Sequence, residues 1–264
     1  MCLIVFAYKF HREYPLIIAA NRDEFYDRPS ASASFWDDAP HVLAGRDLKE
    51  GGTWLGLTTD GRLAAITNYR DPALLKANAP SRGLLISDYL RKSFTPTAYL
   101  ENVHQHSQDY NGFNLLIGNI SSLYHYSNIT GKTTPIEPGI HGLSNHLLDT
   151  PWPKVVRAKT LLKELLLQLS PPTVEPILFL LADRAHPPEN QLPDTGIDHE
   201  WERMLSPLFI TSPYYGTCSS TVILVDRHHR ATFVEKITGE GNMRGTIHRF
   251  TFDIELSPIS EGDR

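Results

Sequence analysis

The residues whose types could do chemistry together lie near the start of the chain. Cys2 is one of only two cysteines, and removal of Met1 would make it the N-terminal residue. Its thiol and its own α-amine would then share one carbon, with reference pKa values of about 8.5 and about 7.7 to 8.0. Such an amine can activate the side chain of its own residue. The sequence therefore predicts a nucleophilic Cys2; the alternative is a small buried residue at the start of a strand.

Two apolar segments must position this thiol. Residues 3–8 and 15–20 are rich in β-branched and aromatic side chains, and a polar patch separates them. This pattern is typical of a β-hairpin. The hairpin would return Asn21, Arg22 and Asp23 to the side of Cys2, where a carboxylate could hold the α-amine and tune its proton exchange.

Further along the chain, strands are predicted first, helices in the middle and strands last. This order is typical of an α+β layered domain, and we expect residues 1–264 to form one such domain. Asp60-Gly61 predicts a hairpin turn, whereas the serine- and proline-containing stretch 27–41 and the polar stretch 185–199 predict long loops. The predicted strands are 54–57, 62–67, 113–117, 123–126, 140–145, 214–225, 231–237 and 247–254, and the predicted helices are 80–91, 97–106, 152–169 and 173–183.

Composition narrows the classes of partner. The net charge of −5 and the absence of a long Lys/Arg cluster argue against nucleic acid, because nucleic-acid binders carry a basic patch. No apolar run reaches the roughly 18 residues of a spanning helix, and no charged leader precedes the first apolar segment. Two cysteines make no disulfide framework, and no spaced set of ligands predicts a metal site. We therefore expect a cytoplasmic protein without a transmembrane segment.

Several motifs together resemble one known family. Cys2 is followed by Ala-Ala-Asn-Arg-Asp-Glu-Phe-Tyr-Asp-Arg-Pro at 19–29. Later matches lie at 51–56, 64–70, 110–115, 142–145, 150–152, 215–217 and 221–226. These segments are similar, in order and over nearly the whole chain, to the NRDE-motif family, also called the transport and Golgi organisation protein 2 family.

The resemblance implies an N-terminal-nucleophile hydrolase fold, a four-layer αββα sandwich of two antiparallel sheets. It also implies a distant likeness to the choloylglycine hydrolase and penicillin V acylase group, which attack amides with an N-terminal cysteine. Carried over, Cys2 is the nucleophile, Asp23 holds its amine, and Asn68 and Asn145 contact the amine and the developing oxyanion. Residues expected to bind the ligand are Asn21, Arg22, Glu24, Arg46 and Trp54.

Two positions depart from the related proteins and keep two functions open. Ala20 stands where the amidases carry an arginine, and Cys218 follows Thr217 where many family members carry one. One hypothesis is a cysteine amidohydrolase that cleaves a non-peptide C–N bond of a small molecule and requires no cofactor. The other is a carrier, since the family is associated with trafficking and with handling of haem and acyl-coenzyme A; haem would then be a bound ligand.

Overall fold

Two antiparallel sheets form the centre of the structure, a computed structural model that describes residues 2–168, 171–239 and 244–255. The first sheet has the strand order β10-β1-β2-β11-β12-β13, and the second runs β3 to β9 in chain order. The strands are β1 (Cys2–Tyr8), β2 (Leu16–Phe25), β3 (Ser30–Trp36), β4 (Ala39–Asp47), β5 (Leu55–Thr58), β6 (Leu63–Asn68), β7 (Phe113–Gly118), β8 (Leu123–Ser127), β9 (Lys132–Pro135), β10 (Gly139–Leu143), β11 (Tyr215–Val225), β12 (Arg230–Ile237) and β13 (Ile247–Asp253).

Helices cover the outer faces of both sheets. They are α1 (Gly83–Arg91), α2 (Pro96–His106), α3 (Pro153–Gln168) and α4 (Val174–Leu181), whereas α5 (His199–Met204) ends at a separate small apolar cluster that contains Ile210 and Tyr215. One apolar cluster lies between the sheets, a second joins the first sheet to α3 and α4, and a third joins the second sheet to α1 and α2. The layers are therefore αββα, which confirms the predicted α+β sandwich of two antiparallel sheets.

Side-chain alternation along β1 and β2 sorts the motif residues onto two faces. Ile4 and Phe6 pack between the sheets, whereas Leu3 and Val5 pack against α3 and α4. Successive side chains of a strand point to opposite faces. Cys2 and Arg22 consequently share the inter-sheet side, and Asn21 and Asp23 lie on the helix side.

The prediction that residues 27–41 form a long loop is wrong. Its residues form β3 and the start of β4, which pair with each other. The pairing is irregular, with register shifts after Ala31 and after Phe35. Serine and alanine give a weak strand signal, and pairing with a neighbouring strand overrides it here. The short edge strand β9 was also absent from the prediction, and α5 begins at the end of the stretch predicted as the second loop.

Residue 169, the predicted end of the longest helix, lies outside the described residues. In the part of the chain that is described, none of the helices combines the length and the apolar character needed to cross a membrane.

Candidate functional site

A cleft of about 520 Å³ lies beside the start of β1. The first sheet contributes Cys2, Arg22 and Glu24 to its wall, and the second sheet and its connections contribute Trp54, Asn68 and Arg82. Strand register explains part of this arrangement, since Cys2 pairs directly with Arg22 on β2. The predicted return of the motif to the side of Cys2 is confirmed.

The Cys2 side chain is nearly buried at the cleft wall, with 8% of the residue exposed. Its carbonyl oxygen accepts a hydrogen bond from Ser144 Oγ at 3.2 Å, which ties β1 to the end of β10. Burial raises the pKa of the Cys2 thiol, while the charge of Arg22 and a hydrogen bond from the backbone of Asp23 lower it. Because burial is the largest influence, the resting thiol is protonated at neutral pH, and a nucleophile here needs a base.

Asp23 is one of the residues that line the cleft, but its side chain is on the helix side of β2 and the residue is only 1% exposed. Its Oδ1 accepts a hydrogen bond from Thr217 Oγ1 at 2.7 Å, and its backbone oxygen accepts one from the Tyr215 hydroxyl at 3.0 Å. Burial raises the pKa of Asp23, and the positive charge of Lys154 opposes that increase most strongly among the named side chains. The carboxylate is thus held rigidly by β11 and stabilised by a cation from α3.

Lys154 is a buried cation that the helical pattern of α3 did not reveal. Its Nζ donates to the Leu205 carbonyl oxygen at 3.1 Å, and the residue is 4% exposed. Burial lowers the pKa of Lys154 to about 8, with the charge of Arg70 acting in the same direction and that of Asp23 against it. A buried lysine keeps its charge only when an anion compensates for the lost solvent, and Asp23 supplies part of that compensation.

Lys154→Met is expected to remove a pH dependence from the stability of the protein. The ordinary pKa of lysine is about 10.4, so between pH 8 and pH 10.4 the unfolded chain binds a proton that the folded protein has released. The free energy of unfolding therefore rises with pH in this range, by about 3 kcal/mol for a shift of this size. Urea denaturation at several pH values should show this rise for the natural protein relative to Lys154→Met. Lys163→Met, at an exposed position of the same helix, should keep the pH dependence. The expectation would be contradicted if the difference in the free energy of unfolding between the natural protein and Lys154→Met were constant with pH.

The two asparagines predicted to act at the nucleophile lie at different depths. Asn68 lines the cleft, whereas Asn145 is fully buried and is not among the lining residues. The Asn145 Nδ2 donates to the backbone oxygen of Asn68 at 3.1 Å, and its Oδ1 accepts from Ser144 Oγ at 3.2 Å. The structure therefore brings Asn68 to the cleft and places Asn145 as a support for the Asn68 backbone.

Of the residues predicted to bind a ligand, Asn21 lies apart from the other four. Its Nδ2 donates to the carbonyl oxygens of Leu181 and Leu208 at 2.9 and 2.8 Å, and its Oδ1 accepts from Ser220 Oγ at 2.7 Å. The strand alternation turns Asn21 toward the helices, where it joins β2 to the last residue of α4 and to the segment after α5. Its position corrects the predicted ligand contact to a structural role.

The other four predicted ligand-binding residues, Arg22, Glu24, Arg46 and Trp54, line the cleft. Glu24 lies 3.9 Å from the guanidinium nitrogens of both Arg22 and Arg28. Arg46 forms a paired contact with Asp38 at 2.8 and 3.0 Å and lies over the Trp36 ring. Arg82, which no motif indicated, completes the set of cleft arginines. A guanidinium just before a helix is a signal that could have revealed it, because cations are unfavourable at helix N-termini.

The two positions that depart from related proteins have clear structural roles. Ala20 is completely buried in the cluster between the sheets. Cys218 lies at a register shift of β11 between Thr217 and Ser219, and its Sγ contacts the carbonyl oxygens of Gly216 and Glu24 at 3.5 and 3.6 Å. Burial raises the pKa of the Cys218 thiol to about 11. Little of the Cys218 thiol is therefore ionised at neutral pH.

Metal ligands are not clustered in this structure. Within residues 2–168, 171–239 and 244–255, no group of three or more His, Cys, Asp and Glu side chains could hold a metal ion.

Solved structures with a related architecture include two hydrolases. The Caenorhabditis elegans orthologue of N-acylethanolamine-hydrolyzing acid amidase is 10% identical, with a TM-score of 0.48 over 84% of this chain and 92% of that one. A mutant of the conjugated bile acid hydrolase from Clostridium perfringens is 8% identical, with a TM-score of 0.48 over 99% of this chain and 100% of that one. At these scores we transfer no catalytic role from either protein.

Curated proteins show a much stronger similarity. The human protein named Transport and Golgi organization protein 2 homolog is 38% identical over 257 residues, covering 89% of this chain and 92% of the relative. The Drosophila melanogaster Transport and Golgi organization protein 2 is 28% identical over 263 residues, with the same coverage of both chains. The family model described as Transport and Golgi organisation 2 matches residues 1–240. This chain therefore belongs to the Transport and Golgi organisation 2 family.

Proposed function

We propose that this protein is an amidohydrolase that cleaves a non-peptide C–N bond with Cys2 as the nucleophile. The observation that carries the proposal is the arrangement at the start of β1. Cys2 lies on the cleft wall opposite Arg22 in the strand register, and a buried carboxylate, Asp23, follows Arg22 on the partner strand. A nucleophile, a charged group that can orient its amine and an open cleft thus lie together.

The proposed reaction begins after removal of Met1 has left the α-amine on Cys2, and it has two steps, acylation of the thiol and hydrolysis of the thioester. The amine takes the thiol proton while sulfur attacks the amide carbonyl carbon. The C–N bond then breaks, the leaving amine takes that proton, and the acyl group remains on sulfur as a thioester. Water hydrolyses the thioester, which releases the acid and restores the thiol. Met1 lies outside the described residues, so its removal is part of the proposal.

Protein groups around Cys2 have distinct parts in this reaction. Asp23 keeps the amine oriented, and Lys154 keeps Asp23 charged. The Asn68 side chain is the candidate donor to the oxyanion, supported through its backbone by Asn145. One such donor contributes about 2.7 to 4 kcal/mol to transition-state stabilisation. A free thiol nucleophile suits a reducing compartment, which favours the cytoplasm.

Intact mass and selective alkylation test the proposal directly. The chain, produced without an N-terminal tag, should lack Met1, and iodoacetamide at pH 7 should modify Cys2 faster than Cys218. A panel of N-acyl amines and N-acyl amino acids, with fluorescent detection of the released amine, should then give turnover that Cys2→Ala abolishes and Cys218→Ala retains. Retention of Met1, or equal turnover by Cys2→Ala, would refute the mechanism.

A second candidate is a carrier for an anionic ligand such as acyl-coenzyme A or haem. The arginine-lined cleft favours it, because guanidinium groups bind phosphates and carboxylates well. For haem, the cleft residues that are described include no histidine, and of the two thiols Cys218 is a poor thiolate. A carrier should bind acyl-coenzyme A or haem equally well in Cys2→Ala, with no release of amine from any substrate.

A further inference from the structure

Arg82 is a cation on the cleft wall at a position that does not favour cations. It immediately precedes α1, and its side chain makes no capping hydrogen bond. The positive end of a helix dipole repels a guanidinium. Its Nη1 donates to the Gly112 carbonyl oxygen at 2.9 Å, which leaves most of its donor groups for other partners. The dipole of α1 therefore gives the Arg82 cation no stabilisation.

The other cleft arginines have carboxylate partners. Arg22 lies 3.9 Å from Glu24, Arg28 2.5 Å from Asp47 and Arg46 2.8 Å from Asp38. Arg82 has no carboxylate within ion-pair distance among the residues that the structure describes. Burial lowers the pKa of Arg82, and the charges available to oppose this are those of Cys2 and Glu24. Since the resting Cys2 thiol is neutral, Arg82 is a partly buried cation without a close counter-charge.

The backbone beneath Arg82 is fixed by two glycines that contact each other. A Cβ atom on Gly52 would lie 2.4 Å from the Gly83 carbonyl carbon. A larger residue at position 52 would therefore force the two chain segments apart. The Thr53 amide also donates to the Gly83 oxygen at 3.2 Å. Arg82 is consequently attached to a rigid junction between α1 and the segment before β5. A cation fixed in this way can orient a ligand without a large ordering cost.

We infer that Arg82 binds a carboxylate of the substrate, so that the cleft accepts small amides that carry a carboxylate, such as N-acyl amino acids. A guanidinium offers paired N–H donors that match a carboxylate. The bound carboxylate supplies the counter-charge that Arg82 lacks and places the amide bond near Cys2. This inference rests on the proposed function, and it identifies a specificity residue for it.

Two alkylating reagents of nearly equal size test the inference on the purified full chain. Iodoacetate and iodoacetamide both form an S–C bond with loss of iodide and of the thiol proton, and they differ in carrying a carboxylate or a neutral amide. Peptide mass spectrometry gives the rate constant of each at Cys2. The ratio of the iodoacetate to the iodoacetamide rate constant should fall about tenfold in Arg82→Gln. The ratio should fall less in Arg82→Lys, because lysine keeps the positive charge but loses the paired N–H geometry of the guanidinium.

A matched control separates a local effect from a change in net charge. Arg91→Gln removes the same charge from the other end of α1, where Arg91 contacts Asp38 at 2.8 Å on the surface. Its reagent ratio should equal that of the natural protein. If Arg82→Gln slows both reagents equally, Arg82 acts on the thiolate rather than on a carboxylate, and the inference is wrong. An unchanged ratio overturns it as well.

Protection experiments in the natural protein keep the inference testable if Arg82→Gln fails to fold. N-acetylglycine should protect Cys2 from iodoacetamide, and the neutral N-acetylglycinamide at the same concentration should not. Equal protection by both, or protection by neither, would overturn the inference.

Failure of the proposed function gives a different pattern. If Cys2 reacts with neither reagent, the accessible nucleophile is absent, and calorimetric titration with the same two ligands decides the inference. Preferential binding of N-acetylglycine that is lost in Arg82→Gln, or weakened in Arg82→Lys, supports it; equal binding, or none, overturns it. If the reagent ratio depends on Arg82 but no amide is hydrolysed, the carboxylate site stands and the amidohydrolase proposal falls.

Discussion

Asp23→Asn is expected to change two properties of Cys2 in opposite directions. Amide hydrolysis should fall by about 10²- to 10⁴-fold, the usual contribution of an oriented acid–base group. Alkylation by iodoacetamide near neutral pH should become faster. Burial raises the pKa of the Cys2 thiol, and the negative charge of Asp23 raises it further. Removing that charge lowers the thiol pKa, so more thiolate is present even though the amine loses its partner.

The opposite signs make this variant informative. A general loss of structure would slow hydrolysis, whereas it would expose both thiols to alkylation, so the rate at Cys218 must be followed beside that at Cys2. A selective increase at Cys2 supports the electrostatic explanation. Asp27→Asn is the matched control, because Asp27 is exposed in the turn that follows β2, and both rates should stay unchanged. Slower alkylation at Cys2 in Asp23→Asn would contradict the assigned influence of the carboxylate on the thiol.

Glu202→Gln is expected to lower the free energy of unfolding by about 3 to 5 kcal/mol, because it leaves a buried cation without its counter-ion. Arg70 Nη1 and Glu202 Oε2 are 2.5 Å apart, and their side chains are 6% and 4% exposed. Arg70 also lies over the Trp152 ring at 4.9 Å, and its Nε and Nη2 find no hydrogen-bond partner in the described structure. The remaining guanidinium has little else to stabilise it.

Urea denaturation of Glu202→Gln and of Glu200→Gln compares two positions of the same short helix. Glu200 is exposed, and its variant should stay within about 0.5 kcal/mol of the natural protein. The double variant Arg70→Met with Glu202→Leu should recover most of the loss, because apolar replacement of a buried pair is often neutral. A loss below about 1 kcal/mol in Glu202→Gln would show that the pair is not desolvated as its burial indicates.

The ion pair also acts on the candidate site. The Arg70 amide donates to the Asn145 oxygen at 2.8 Å, and Asn145 in turn donates to the Asn68 oxygen. Asn68 ends β6 at the cleft. Breaking the Arg70–Glu202 pair should therefore disturb the position of Asn68 as well as the stability of the fold.

Local patterns in the chain were sufficient for much of the fold. Apolar segments at 3–8 and 15–20 predicted the first hairpin, and the Asp60-Gly61 turn predicted the β5–β6 hairpin; both are present. The helical periodicity after residue 152 predicted α3. These signals are local, because each depends on residues that lie close together in the sequence. The edge strands β3 and β9 lack such signals, since their stability comes from pairing with β4 and β8.

The site was predictable where side chains follow strand alternation and not where they depend on distant contacts. Cys2 and Arg22 share a face because the hairpin register is regular. The burial of Lys154 depends on a carbonyl group of Leu205, which is far along the chain. Arg82 joins the cleft only because Gly52 and Gly83 bring α1 against the segment before β5. Asn145, two residues after β10, lies behind Asn68 for a similar reason, because its side chain donates to the backbone oxygen of that distant residue.

The register shift at Cys218 has a consequence for how β11 can vary. Before the shift Thr217 contacts Asp23 on the helix side, and after it Ser220 contacts Asn21 on that same side. Odd-numbered residues face the helices before the shift and even-numbered residues after it. One extra residue thus reverses the phase of the strand in the middle of the site. The chemical identity of residue 218 is open to exchange, whereas its presence is not. Deleting it would either turn Thr217 away from the carboxylate or exchange the apolar residues that face the helices with those that lie between the sheets.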